Sequence, residues 1–134
     1  MFAFPVLEVV KVIDGDSLRL VIDLGFKLRR EVDVRLRDID APERHTETLQ
    51  EGEFVRKKIV EWIDETDHLE PVLKSYALDK YGRVLGDFTV STGNHLTHYL
   101  LSRGFVRKYD GGKRAAWTDK ELAAIREAMQ RGTS

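Results

Sequence analysis

The spacing of apolar positions changes along the chain, and each change marks an element. Residues 6–13 are largely β-branched up to Asp14-Gly15-Asp16, after which Leu18, Leu20 and Ile22 alternate with Ser17, Arg19 and Asp23. That period of two predicts the two strands of a hairpin. Gly25 marks the next turn. Val32, Val34 and Leu36 then alternate with Glu31, Asp33, Arg35 and Arg37 until Pro42 stops the pattern, which completes a three-stranded meander. From residue 48 to 66 the period lengthens, and Val55, Ile59, Trp62 and Ile63 fall on one helical stripe.

Residues 72–77 and 83–90 read as strands around Asp79-Lys80-Tyr81-Gly82, a polar turn with a glycine suited to positive φ. Residues 95–103, with Leu96, Tyr99 and Leu100 on one face and Gly104 just beyond, predict a short second helix. A third begins at Thr118, where Thr118-Asp119-Lys120-Glu121 fits a capping box and Leu122, Ile125 and Met129 supply the stripe before Gly132. The order of three strands, a helix, two strands and two helices is that of an α+β, mainly β protein. It fits a five-stranded OB-fold barrel with three helices, one domain over residues 1–134.

Composition narrows the chemistry. The 134 residues contain no cysteine, so disulfides, thiolate metal sites and cysteine catalysis are excluded, and any metal must sit on oxygen or imidazole. No apolar run reaches the roughly 18 residues of a membrane span, and no membrane partner is expected. The first fifteen residues lack the features of a signal peptide; as written the chain is expected to stay inside the cell, or outside it if a leader has been removed. A monomer is expected.

The formal net charge of -1 conceals an asymmetry: residues 1–70 hold 11 basic and 17 acidic side chains, and residues 71–134 hold 11 and 6. A polyanion would be drawn to the second part and repelled by the first, unless a cation neutralised the carboxylates there. An ordinary mixed-charge surface is the alternative.

Acids flank the strand ends: Asp14 and Asp16 before the second strand, and Asp38, Asp40 and Glu43 after the third. In a meander these can meet on one rim, and oxygen-only clusters suit calcium or magnesium. An EF-hand does not fit, because a loop starting at Asp14 has Arg19 where glycine is required. Arg35 and Arg37 point away from the barrel interior, either as structural ion pairs or as forks of donors for phosphate. Lys80, Tyr81 and Arg83 combine a base-stacking ring with phosphate-binding cations, or form only an exposed hairpin tip.

Read together, Val12-Ile13-Asp14-Gly15-Asp16-Ser17, then Val34-Arg35-Leu36-Arg37-Asp38-Ile39-Asp40-Ala41-Pro42-Glu43, then Asp79-Lys80-Tyr81-Gly82-Arg83 resemble the staphylococcal nuclease (thermonuclease) family, in order and approximate spacing, over about residues 6–130. The resemblance implies a calcium-dependent, sugar-nonspecific nuclease that cuts DNA and RNA, favours single strands and leaves 3′-phosphate ends. It implies Asp16, Asp40 and the Ala41 carbonyl as calcium ligands, with Asp14 behind them. It implies Arg35, Glu43 and Arg83 as the catalytic set, and Lys80, Tyr81 and Tyr109 as substrate contacts. Degenerate family members persist as binding modules, so a silent OB-fold nucleic-acid-binding module is the alternative; a purely structural calcium site is a third.

Departures from the family pattern are Ala41 where threonine is frequent, and an acidic loop over residues 44–52 with Glu47 and Glu51 near the expected mouth. Near-neutral charge predicts weak nucleic-acid binding without calcium and a modest salt slope. His45, His68, His95 and His98 share no ligand spacing and are read as structural or exposed. Trp62 is expected in the core and Trp117 at the start of the last helix.

Overall fold

The computed structural model describes residues 1–44 and 46–132; His45 lies outside them. In chain order the elements are β1 (Phe2–Asp14), β2 (Ser17–Gly25), β3 (Leu28–Leu36), β4 (Ile39–Asp40), α1 (Leu49–Thr66), β5 (Val72–Leu78), β6 (Val84–Thr89), α2 (Leu96–Ser102), β7 (Arg107–Lys108) and α3 (Asp119–Arg131). Five strands close into a barrel in the order β1-β2-β3-β6-β5. All its pairings are antiparallel except β3 with β6. This is the five-stranded OB-fold expected from the element order. Closure gives each barrel strand two neighbours and shortens the free edges that invite aggregation.

The alternation read in the sequence is the barrel's inside and outside. Leu18, Leu20, Val34, Leu36, Leu73 and Phe88 are buried from the strands, and Val55, Ile59 and Trp62 from α1. Trp62 meets the Phe88 ring edge-on and Tyr99 in a stack, joining α1, β6 and α2. Leu122 and Ile125 of α3 complete the same cluster. The capping box forms as expected: Thr118 Oγ1 accepts from the Glu121 amide at 3.1 Å and the Glu121 carboxylate accepts from the Thr118 amide at 2.9 Å.

The first strand is longer than its apolar run. Phe2 to Pro5 pair with β5, from Phe2 opposite Ser75 to Pro5 opposite Val72, and Val6 then pairs with Ile22 of β2. Pro5 thus sits at the changeover between partners. The β2–β3 turn is also displaced, from Gly25 to Phe26-Lys27, with φ of +54° and +63°. A two-residue turn with both φ positive matches strand twist but is the usual province of Asn-Gly. Phe26 accepts that conformation while 97% exposed.

One small ladder was not foreseen. β4 and β7 pair antiparallel, Ile39 with Lys108 and Asp40 with Arg107. It draws the segment after α2 across the end of β3, where the motif residues lie.

Candidate active site

Close backbone approach brings the two acidic motifs together. A Cβ on Gly15 would stand 2.6 Å from the Ala41 Cβ and 2.8 Å from Val55 Cγ1, so the Asp14–Asp16 turn can lie against Ala41 only with glycine there. The Ala41 amide then donates to Asp16 Oδ2 at 3.1 Å, Ser17 Oγ donates to Oδ1 at 3.1 Å, and the Leu36 amide donates to the Asp16 carbonyl at 2.8 Å. Asp16 is buried. Burial pushes its carboxyl up from the usual range and neighbouring Asp40 adds to the rise, against the pull of Arg35 and these hydrogen bonds.

Arg35 points out of the barrel, as its place between Val34 and Leu36 requires, yet it is only 4% exposed. A ring from far along the chain stands near it, with the Tyr109 centroid 5.8 Å from the guanidinium. Nη1 donates to the Leu36 carbonyl at 2.7 Å, and Nη2 stands 3.7 Å from Asp16 Oδ2, an ion pair too long for a hydrogen bond. Burial lowers its pKa, Asp16 holds it up, and nearby Arg114 and Arg83 lower it further.

Arg83 is aimed by its own turn. Its Nε donates to Asp79 Oδ2 at 2.7 Å, while Asp79 Oδ1 accepts from the Tyr81 and Arg83 amides. Burial raises the Asp79 carboxyl, but these bonds outweigh it and leave it below the usual range. Glu43 is exposed and its loop is pinned to α1: Thr48 Oγ1 donates to the Glu43 carbonyl at 2.7 Å, and a Cβ on Gly52 would fall 2.8 Å from that oxygen.

Asp16, Arg35, Glu43 and Arg83 line one cleft of about 470 Å³, with Asp14, Ser17, Ala41, Pro42, Arg44 and Arg114. Asp40 borders it through Ala41 and Arg114. Lys80, Tyr81 and Tyr109 line an adjoining groove shared with Arg35, Arg83 and Arg114. Tyr81 is 73% exposed, with Lys80 Nζ 5.3 Å and the Arg83 guanidinium 5.7 Å from its ring.

A family model described as staphylococcal nuclease homologue matches residues 33–133. The chain belongs to the staphylococcal nuclease family. It is 27% identical over 116 residues to an uncharacterized endonuclease of Escherichia coli, covering 82% of this chain and 69% of that protein, and it is equally similar to the counterpart in Escherichia coli O157:H7. Membership of the staphylococcal nuclease family supports a nuclease, and with it a nucleic-acid substrate. Among the described residues no helix is long and apolar enough to cross a membrane.

The staphylococcal nuclease family is metal-dependent in general. Among the described residues no group of three or more histidine, cysteine, aspartate or glutamate side chains forms a ready-made metal site. The donor chemistry still fits a hard cation. Asp16 and Asp40 are buried carboxylates close enough for one to raise the other's pKa, and oxygen donors from water, backbone or phosphate suit calcium or magnesium for the remaining positions.

Glu51, expected near the mouth, is elsewhere, and Asp38, expected on one rim with Asp16, lines the adjoining groove. Asp38 takes a left-handed φ of +66° and its side chain is 79% exposed, beside Arg37 at 3.8 Å rather than Asp16. Glu51 is buried and faces α3, paired with Arg126 at 3.0 Å, because the first turn of α1 packs there; only Glu47 stays near Glu43. Four neighbours of the motifs escaped the sequence reading. Arg44 pairs with Asp14 at 3.0 Å and Glu53 at 3.3 Å. Arg107, Arg114 and Trp117 surround Asp40 from far along the chain, a separation that no local pattern in the sequence bridges.

Proposed function

We propose that residues 1–134 act as one nuclease unit that hydrolyses phosphodiester bonds of DNA and RNA, favours single strands, uses calcium and leaves 3′-phosphate ends. The observation carrying this reading is that Asp16, Arg35, Glu43 and Arg83, drawn from three separate motifs, line one cleft. Asp16, Asp40 and the Ala41 carbonyl are the proposed cation ligands. When bound, the cation supplies charge stabilisation to the phosphoryl oxygens.

The chain's own groups account for the rest. Arg35 and Arg83 are fixed guanidinium groups placed to donate to the equatorial oxygens as negative charge grows on a five-coordinate phosphorus. Because both are already oriented, by Leu36 and Asp79, little reorganisation is needed at the moment of reaction. Glu43 orients the attacking water and takes its proton as the water oxygen bonds to phosphorus. The bond from phosphorus to the 5′-oxygen breaks, and that oxygen leaves as a hydroxyl after taking a proton from solvent. Lys80, Tyr81 and Tyr109 hold the strand, the rings by stacking on bases and the lysine on phosphate.

The test is hydrolysis of a labelled single-stranded DNA oligonucleotide with calcium, with magnesium and with chelator, reading the fragment ends. Calcium-dependent fragments with 3′-phosphates are expected. An oligonucleotide that binds and stays whole would make the domain a binding module; one that neither binds nor breaks would sink the reading.

A further inference from the structure

Arg114 lies on the connection between β7 and α3, outside every motif, yet its side chain lines the cleft with Asp16, Arg35, Glu43 and Arg83. Its Nε stands 3.8 Å from Asp40 Oδ1. Arg107 and Trp117 both donate to the other oxygen, Oδ2. A 3.8 Å separation is too long for a hydrogen bond, so this pairing rests on charge and is easily exchanged. With its side chain 41% exposed, Arg114 loses little packing by turning.

Charge pulls Arg114 in two directions. Burial disfavours its guanidinium, but a hydrogen bond with Tyr109 and the charges of Asp40 and Asp16 keep it protonated. On the other side it is close enough to Arg35 for the two like charges to oppose each other. The Tyr109 ring lies within reach of both cations, 5.2 Å from Arg114 and 5.8 Å from Arg35. Two arginines crowded at one ring suit a phosphate between them, and one of them beside two buried carboxylates gives those carboxylates a countercharge. The backbone leading to Arg114 is suited to turning: Gly111 has φ of +91°, Gly112 follows, and residues 111–116 are exposed.

We propose that Arg114 is an exchangeable counterion, neutralising the Asp16–Asp40 pair while no divalent cation is bound and turning to the substrate phosphate beside Arg35 when one is. The inference rests on the nuclease reading above. It requires effects of opposite sign: without the guanidinium, a cation meets less competition at the carboxylates, while the phosphate loses a fork of donors. A merely structural role would weaken both.

The experiment is calorimetric titration of calcium into the wild-type protein, Arg114→Gln, Arg114→Lys and Lys113→Gln. A labelled single-stranded oligonucleotide is titrated in parallel, with calcium present, into the same proteins carrying Glu43→Gln to prevent cutting. Arg114→Gln is expected to bind calcium about tenfold more tightly and the oligonucleotide about tenfold more weakly. Arg114→Lys keeps the charge without the planar fork, so its calcium affinity stays near wild type while oligonucleotide affinity falls. Lys113→Gln, one residue away, is expected to leave calcium affinity within about twofold, which separates local competition from long-range charge. Calcium affinity unchanged or weakened in Arg114→Gln, or tightened equally in Lys113→Gln, overturns the inference alone. A wild-type protein that binds no calcium overturns the calcium reading as well.

Discussion

Arg107 reaches Asp40 with Nε at 3.0 Å and Nη2 at 2.9 Å, and both contacts fall on the same oxygen, Oδ2. The β4–β7 ladder sets this up by pairing the two residues directly across strands. Trp117 Nε1 adds a third donor to Oδ2 at 3.3 Å, while Arg107 Nη1 holds Glu121 at 3.0 Å. Since Glu121 also closes the capping box of α3, the start of that helix and the carboxylate beside the cleft share one arginine. The arrangement leaves Oδ1 to Arg114, whose Nε stands 3.8 Å away.

Arg107→Met should therefore destabilise the fold by about 3 kcal/mol, because it leaves a buried carboxylate short of its main countercharge. Urea unfolding measures it. A loss under about 1 kcal/mol would mean that Trp117 and Arg114 suffice.

Glu43→Ala should cut turnover on a single-stranded oligonucleotide by at least about 100-fold, the lower range for loss of a general base. Glu43 is exposed, so the thermal midpoint should hardly move. Turnover close to wild type would remove Glu43 from the mechanism.

Gly15→Ala tests the close approach that joins the acidic motifs. The φ of Gly15 lies outside the left-handed region, so the constraint is space: its new methyl would meet Ala41 Cβ at 2.6 Å. A loss of about 1–3 kcal/mol is expected. Adding Ala41→Gly should recover part of it, with Val55 keeping the remainder, and strictly additive losses would contradict the contact.

Glu53 gives a pH signature. Hydrogen bonds from Arg56, then Arg44, hold its carboxyl down at about 2 against an ordinary 4.5, in spite of some burial. A depressed folded pKa adds stability above the unfolded value and loses it as pH falls through the folded one. Wild type should thus lose stability more steeply than Glu53→Gln between about pH 4.5 and 2, and less so at high salt. Parallel pH curves would show the pairs to be energetically idle.

Replacing Phe26-Lys27 by Asn-Gly should stabilise the domain by about 1 kcal/mol, since both positions hold a conformation that side chains such as phenylalanine disfavour. A rise of roughly 3 °C in thermal midpoint is the corresponding reading. A fall would show that Phe26 makes a contact worth more than its strain.

Elements whose signal is local were legible in the sequence. The alternation around Val34 and Leu36, the stripe of Val55, Ile59 and Trp62, and the Thr118–Glu121 box each lie within a few residues, and each formed as read. Phe2–Pro5 did not read as strand because what makes it one is pairing with Val72–Ser75, across the barrel closure. The motifs put Arg35 beside the acids, but the Tyr109 ring near its guanidinium and its charge neighbour Arg114 lie over seventy residues downstream. Glu51 was misplaced for the same reason: on a helix bare of its partners its carboxylate belongs to solvent, and only the packing of α3 brings Arg126 to it.

The ladder between β4 and β7 also sets an order of events. A ribosome emits Asp40 67 residues before Arg107 and 77 before Trp117. At about 5–20 residues per second, Asp40 waits several seconds for the segment that pairs with it. A growing chain thus holds the Asp40 carboxylate for that interval without Arg107 or Trp117 to donate to it.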